Sequence, residues 1–380
     1  MRAVMTEEHE AFRTQLRRFL ETEVLPHHEA WEEQGYVPKE IWKRAGENGF
    51  LCPMVPEAYG GAGCDFGFAA VVTEEVARLN VTGLGFTMHS EIVAPYITRF
   101  ATEERKKLWL PKMVSGELIG ALGMTEPGTG SDVKSIKTKA VRDGDHYVIS
   151  GQKTFITNGH NCGIIVLAVK TDPDAGRKGI SLIAIEEGTP GFEKGRRLKK
   201  LGLPAQDTSE LFFDEVRVPV ENLLGEENQG FYYMMKELAQ ERLAIAVRSV
   251  ASLESMFDET LEYTLSRKAF GNRLVDFQNS KFKLAEAKSY IEMLRAFVDD
   301  CLREHLQGQL SPERAAMAKL MGTELQGKLL DDMLQLHGGY GYMREYVVGR
   351  AWLDARVMRI YGGSSEVMKE IIAKGFTKNP

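Results

Sequence analysis

Cysteine is scarce in this chain, with four in 380 residues. Cys52, Cys64, Cys162 and Cys301 are scattered, form no Cys-x-x-Cys pair and have only His160 close to one of them. A zinc site or a disulfide framework therefore lacks support, no metal is expected, and reduced thiols are the default. Dense blocks of one charge are also missing: 48 basic against 54 acidic residues leave a net charge of -6, which does not suggest a nucleic-acid partner. No stretch approaches the length of a membrane span, and low-complexity segments and internal repeats are absent. The first ten residues carry three acidic side chains and no long apolar run, unlike a secretory signal or a transit peptide. The expectation is a cytoplasmic protein of bacterial type, with the mitochondrial matrix as the alternative had a leader been removed.

What remains is an ordinary globular composition, long enough for two or three domains. Helical periodicity runs from Glu7 to Val24, where Pro26 is expected to end it, then over Ile41–Phe50, Val71–Leu79, Ile92–Phe100 and Glu103–Val114. The period then changes. Tyr147–Ile149, Phe155–Ile156, Ile164–Val169, Ile180–Ile185, Leu211–Phe213 and Val216–Val218 are short β-rich runs, and Asp143-Gly144 is a hairpin signal. Strands so spaced, without long helices between them, predict an antiparallel sandwich or barrel. Helix returns from Gly230 to about Phe270 and over Phe277–Leu306, and Ser311-Pro312 supplies an N-cap and N1 proline to a third helix ending at Gly338-Gly339. Tyr346–Met358 can complete a four-helix bundle, followed by a last helix over Glu366–Lys374. The expected class is α+β multidomain: an N-terminal helical domain (1–120), a middle antiparallel β-domain (121–229) and a C-terminal helical bundle (230–380).

Between the first two blocks lies Met124-Thr125-Glu126-Pro127-Gly128-Thr129-Gly130-Ser131-Asp132. Pro127 fixes one φ, Gly128 and Gly130 permit positive φ, and the hydroxyls of Thr125, Thr129 and Ser131 can donate or accept. Those residues suit a binding loop and equally a plain polar connector. Four further edge segments share this composition: Phe155-Ile156-Thr157-Asn158-Gly159, Arg267-Lys268-Ala269-Phe270-Gly271, Gln335-Leu336-His337-Gly338-Gly339-Tyr340-Gly341 and Tyr361-Gly362-Gly363-Ser364-Ser365.

In this order and between these blocks, the five segments resemble the acyl-CoA dehydrogenase family over nearly the whole chain, most closely its long-chain branch. The resemblance implies FAD and an acyl-CoA thioester enclosed by three domains, usually in a homotetramer, with an electron-transferring flavoprotein as acceptor. It implies flavin contacts from Leu122, Met124 and Thr125, with Ser131 between cofactor and substrate, and from Phe155, Ile156 and Thr157 on the other flank. Many members have Trp where this chain has Phe155, which keeps a ring and loses an indole donor. Arg267 resembles the arginine that pairs with the FAD pyrophosphate across a subunit interface, a task suited to a planar charged fork. Phe270, Gln278, Gln335, Leu336, Gly338, Gly339, Ser364 and Glu366 match the other cofactor contacts. Tyr232, Arg242, Tyr361, Gly362 and Gly363 join Ser131 in the implied substrate site. His337, beside its glycine cap, reads as structural and is not taken as a base.

The family reaction takes a proton from the α-carbon while a hydride leaves the β-carbon for flavin, so a carboxylate of raised pKa is needed. Most members carry that Glu directly after the Tyr matching Tyr361, but this chain has Gly362. A minority branch places it immediately before an Arg on the helix that begins here near Gly230, and Glu241-Arg242 fits. On a helical wheel Glu241 lies near Met234, Leu238 and Ile245, whereas Arg242 points about 100° away. The implied activity is dehydrogenation to a trans-2-enoyl-CoA in fatty acid β-oxidation, on long or medium chains. The alternatives are an acyl-CoA oxidase of the same fold and a non-catalytic acyl-CoA or flavin binder.

Overall fold

The computed structural model describes residues 2–377, so Met1 and 378–380, the outer ends of two expected domains, lie outside it. Helix α1 (Glu7–Phe19) opens on a capping box in which Thr6 accepts from the His9 amide and the His9 ring accepts from the Thr6 amide. Pro26 does not end the helical run. A π turn at Leu20–Val24 passes directly into α2 (Leu25–Gln34), where Pro26 falls in the first turn and forfeits no needed donor. Helices α3 (Lys39–Glu47), α4 (Phe66–Arg78), α5 (Ala94–Phe100) and α6 (Glu103–Val114) complete this block, and a second π turn over Met88–Val93 leads into α5.

The middle block is a seven-stranded sheet: β1 (Gly120–Gly123), β2 (Lys139–Asp143), β3 (His146–Thr157), β4 (Ile164–Lys170), β5 (Ile180–Glu186), β6 (Phe192–Arg197) and β7 (Thr208–Pro219). Asp143-Gly144 does turn β2 into β3, with Gly144 at φ 63°. The sheet is antiparallel except at β4, which takes β1 and one residue of β2 in parallel and β5 in antiparallel pairing. β4 is buried along its whole length, as its unbroken apolar run anticipates, because alternate side chains enter two cores. Ile164, Val166 and Ala168 pack with α5 and α6, while Ile165, Leu167 and Val169 pack with β3 and β7.

Helices α7 (Gly230–Ser266), α8 (Gln278–Leu306), α9 (Pro312–His337), α10 (Val347–Ala355) and α11 (Ser365–Thr377) form the last block. Ser311 accepts from the Arg314 amide, the cap its sequence announced. The two helical blocks share one core: Leu16, Val72 and Phe86 belong to the same buried cluster as Val250, Leu253 and Leu330. The long helix α7 thus runs from the sheet, past α4 and α5, into the bundle, and can carry one side chain to the junction of all three.

Candidate active site

Glu241 occupies that junction. It is buried on α7, and the Tyr96 hydroxyl on α5 donates to its Oε1 at 3.3 Å. Burial pushes its carboxyl up to about 7, with the charge of Glu237 adding to the rise and the Tyr96 hydrogen bond and Arg242 opposing it. Glu237, one turn earlier and also buried, is paired with Arg99 at 2.5 Å. Tyr96 and Arg99 on α5 therefore face Glu241 and Glu237 on α7, rung against rung. The expected apolar neighbours Met234 and Ile245 are buried too and Leu238 is half-buried, but the tyrosine was not anticipated. Nothing local marks it, because its partner lies 145 residues away.

Arg242 is buried, its Nε has no hydrogen-bond partner among the described residues, and burial pulls its pKa down. One turn beyond Glu241, Ile245 abuts the Tyr361-Gly362-Gly363 turn. A Cβ on Gly362 would come within 2.5 Å of Ile245 Cδ1, and both glycines have left-handed backbone, φ 63° and 97°. A side chain at 362 would thus be strained by the backbone conformation and would require the end of Ile245 to move. The amides of Gly362 and Gly363 donate to no backbone acceptor among the described residues. Tyr361 is half-buried, its pKa raised by burial, and Tyr232 is exposed at the start of α7.

The sheet contributes a second cluster. Glu126 and Thr129 exchange backbone hydrogen bonds of 2.9 and 3.0 Å, closing the loop after β1. The Glu126 carboxylate binds the fully buried Lys153 at 2.8 Å and accepts from the amides of Lys137 and Thr138. Lys153 also donates to the Met124 carbonyl and the Thr154 amide to that of Thr125, so loop and strand end are one rigid wall. Gly128 and Gly130 do not take the positive φ their sequence allowed, and both stand in open space. The strained backbone is instead at Phe155 and Asn158, φ 58° and 61°, beside a β-bulge in β3. Asn158 donates to the carbonyls of Gly85 and Gly120, and Phe155, in the same wall, is 67 % exposed. Left-handed aromatic backbone is costly and clusters at ligand sites. Leu122 and Ile156 are buried behind this wall, Met124, Thr125 and Thr157 are half-buried, and Ser131 is exposed.

A third cluster lies at the far end of α7. Arg267, Gln335, Leu336, Gly338 and Gly339 line a cavity of about 610 Å³ with Tyr263, Tyr340 and Met343. Arg267 stacks over Tyr340 at 5.4 Å and forms no ion pair among the described residues. His337 is a packing residue there: Nδ1 donates to the Met333 carbonyl and the ring stacks on Tyr263 at 4.3 Å. No residue of the sheet lines this cavity, so within one chain it stands apart from the β-wall. Phe270, 95 % exposed with φ 53°, and Gln278, exposed at the start of α8, lie outside the lining. Ser364 accepts from the Val367 amide as it turns the chain into α11, and Glu366 is exposed beside it.

An open cavity with a guanidinium that has no ion-pair partner among the described residues, floored by two glycines that leave it uncrowded, fits a diphosphate, and an exposed aromatic on a rigid wall fits a flat ring system. With a buried carboxyl poised near neutrality, the donor set is that of a flavoprotein acting on an acyl thioester. Three family models agree: acyl-CoA dehydrogenase N-terminal domain over residues 6–117, middle domain over 121–216 and C-terminal domain over 228–377. The long-chain specific acyl-CoA dehydrogenase of Sus scrofa mitochondria is 48 % identical over 98 % of this chain and 87 % of its own length. An acyl-CoA dehydrogenase structure from Geobacillus kaustophilus matches at 49 % identity and TM-score 0.97, over 98 % of this chain and 99 % of that one. A glutaryl-CoA dehydrogenase from Mycobacterium smegmatis, solved with FADH2, matches at 27 % identity and TM-score 0.91, over 99 % and 96 %. The chain belongs to the acyl-CoA dehydrogenase family, and it is an FAD flavoprotein oxidoreductase.

Proposed function

We propose that this protein dehydrogenates a long- or medium-chain acyl-CoA to the trans-2-enoyl-CoA, with Glu241 as the α-proton base. The observation that carries the reading is the placement of Glu241: a buried carboxyl pushed up to about 7, one helical turn from the Ile245 against which Gly362 is packed. A base near the working pH is present as carboxylate and is still strong enough to accept a carbon-bound proton. The free amides of Gly362 and Gly363 are the donors available to the thioester oxygen, where negative charge develops as the proton leaves. Gly362 leaves the space that a side chain would contest with Glu241. Bound FAD supplies the acceptor for the β-hydride.

The β-wall of Met124, Thr125, Phe155 and Thr157 is assigned to the flavin ring, with Leu122 and Ile156 behind it. Arg267, Gln335, Leu336, Gly338 and Gly339 are assigned to the diphosphate. Because that cavity is separate from the wall in one chain, the cofactor would be completed by a second copy, with Phe270 and Gln278 reaching across and Ser364 and Glu366 closing the other side. Ser131, Tyr232, Arg242 and Tyr361 are assigned to the CoA ester, the assembly is read as a homotetramer, and an electron-transferring flavoprotein is read as the acceptor.

The test is a panel of short, medium, long and branched acyl-CoA esters scored by anaerobic bleaching of the flavin. Bleaching strongest with medium or long straight chains, and reoxidation by an electron-transferring flavoprotein faster than by oxygen, are expected. Fast reoxidation by oxygen would make the protein an oxidase, and no bleaching with any ester would make it a binding protein.

A further inference from the structure

Two lysines are among the largest fully buried side chains of the protein, Lys153 and Lys319. Lys153 has a carboxylate partner in Glu126, as a buried charge ordinarily does. Lys319, on α9, has none among the described residues. Its Nζ donates to the carbonyl of Gly363 at 2.7 Å. The carboxylates within range are Glu324, which is paired with Arg359, and the exposed Glu366. The nearby cation is Arg242, itself buried with an unpartnered Nε. Two buried cations without an ion-pair partner among the described residues thus lie near one another, and one of them grips the glycine turn. Burial, with the repulsion of Arg242, pulls Lys319 down to about 8, so the site bears a real desolvation cost. Methionine would fill the same volume without that cost, so packing alone does not account for a lysine here.

The turn it touches is unusually dependent on an outside contact. Gly362 and Gly363 are consecutive left-handed residues without side chains, and their amides are free of backbone acceptors among the described residues. Glycine pairs have much conformational freedom to lose, and here the Gly363 carbonyl is anchored by a single ammonium.

We propose that Lys319 is a positioning residue for the reaction: its ammonium grips the Gly363 carbonyl and holds the Gly362–Gly363 turn in the orientation that presents its amides to the thioester oxygen. The inference rests on Glu241 and this turn flanking the reacting carbons. In this role Lys319 acts through the turn and not on the reacting atoms themselves. Its effect appears where charge develops on the thioester oxygen, and the adjoining positive charge of Arg242 acts in the same direction.

The experiment compares the parent holoenzyme with Lys319→Met and Lys319→Gln. It measures FAD content, acyl-CoA affinity by calorimetry, kcat and KM, and exchange of the acyl-CoA α-proton in deuterated water. Lys319→Met should retain FAD and bind acyl-CoA within about 3-fold, while kcat and α-proton exchange fall together by roughly 10- to 100-fold, the scale of a charge-assisted hydrogen bond. Lys319→Gln, which keeps an N–H for the carbonyl, should recover part of both. Amide hydrogen exchange of the 361–364 segment should quicken in the Met variant. An unchanged kcat per mole of holoenzyme, or a loss confined to KM or to the unfolding midpoint, would overturn the proposal. Should Lys319→Met fail to fold, Lys319→Gln is judged by the same split between kcat and KM. A parent enzyme whose flavin is bleached by no acyl-CoA refutes the underlying reading instead, whereas flavin reduction abolished in Glu241→Gln but intact in Lys319→Met refutes only this one.

Discussion

Two glutamates, Glu74 on α4 and Glu241 on α7, are almost completely removed from solvent on helices that pack together, yet they have opposite characters. Glu74 is ringed by Arg2, Arg13 and Arg295 at 2.5, 2.9 and 2.8 Å. Burial alone would raise it, but the three guanidiniums win and hold it down to about 2. Glu241 suffers the same burial with only a tyrosine hydroxyl and a poorly placed Arg242 to offset it, and it rises to about 7. Desolvation is common to both, so the counter-charges decide. One carboxylate ties α1, α4 and α8 together, and the other is left able to take up and release a proton near neutral pH.

The sharpest way to break this contrast is Glu241→Gln, which keeps shape and removes basicity. FAD content and acyl-CoA binding should survive, while anaerobic flavin reduction slows by roughly 10²–10⁴-fold or more, as expected for loss of a general base. Stopped-flow reduction at parental speed would remove Glu241 from the reaction. The counterpart, Glu74→Gln, should leave kcat per folded holoenzyme within a few-fold, yet cost about 1–3 kcal/mol in a urea melt, because Arg13 and Arg295 lose their shared partner while each keeps another carboxylate, Glu75 and Glu254.

The same pair predicts pH slopes of opposite sign. Glu74 titrates in the folded protein below its ordinary value of 4.5, so its stabilising contribution is present above about 4.5 and is lost as pH falls through about 2. Glu241 titrates above its ordinary 4.5, so the unfolded state gains from ionisation first, and the native state loses stability as pH rises from about 4.5 through 7. Glu241→Gln should therefore be more stable than the parent at pH 8, by up to about 3 kcal/mol, and equal to it near pH 4. Thermal melts across that range would show a constant gap if Glu241 were an ordinary solvated carboxylate.

Legibility followed range in sequence. The long helices and the capped start at Ser311 were readable because their signals are local and periodic, and β4 was readable because both faces are buried. Strands β1, β2 and β6 were missed for local reasons too: β1 is four residues with two glycines, and β6 is a polar, partly exposed edge. The parallel pairing of β1 with β4 was unreadable, since it depends on partners more than forty residues apart. At the site, the loop residues were named through the family pattern, but the support behind them was not. Lys153 under Glu126, Lys319 behind Gly363 and Tyr96 against Glu241 are contacts between distant segments whose residue types carry no mark of the task.

Tyr96→Phe tests the finest part of the contrast, the single hydroxyl that Glu241 has in place of Glu74's arginines. At 3.3 Å the bond is long for an O–H donor, so its contribution should be small. It favours the charged carboxylate, and removing it raises the pKa of Glu241 further. Less of the base is then ionised at neutral pH, and flavin reduction at pH 7 should fall by roughly 2- to 5-fold. The carboxylate that does form is a stronger base, so the variant should match or exceed the parent once pH is well above the shifted value. The expected signature is an acidic limb of the pH–rate profile displaced to higher pH with an undiminished plateau. A lower plateau without displacement would mean that Tyr96 shapes the pocket around Glu241 and leaves its proton affinity alone.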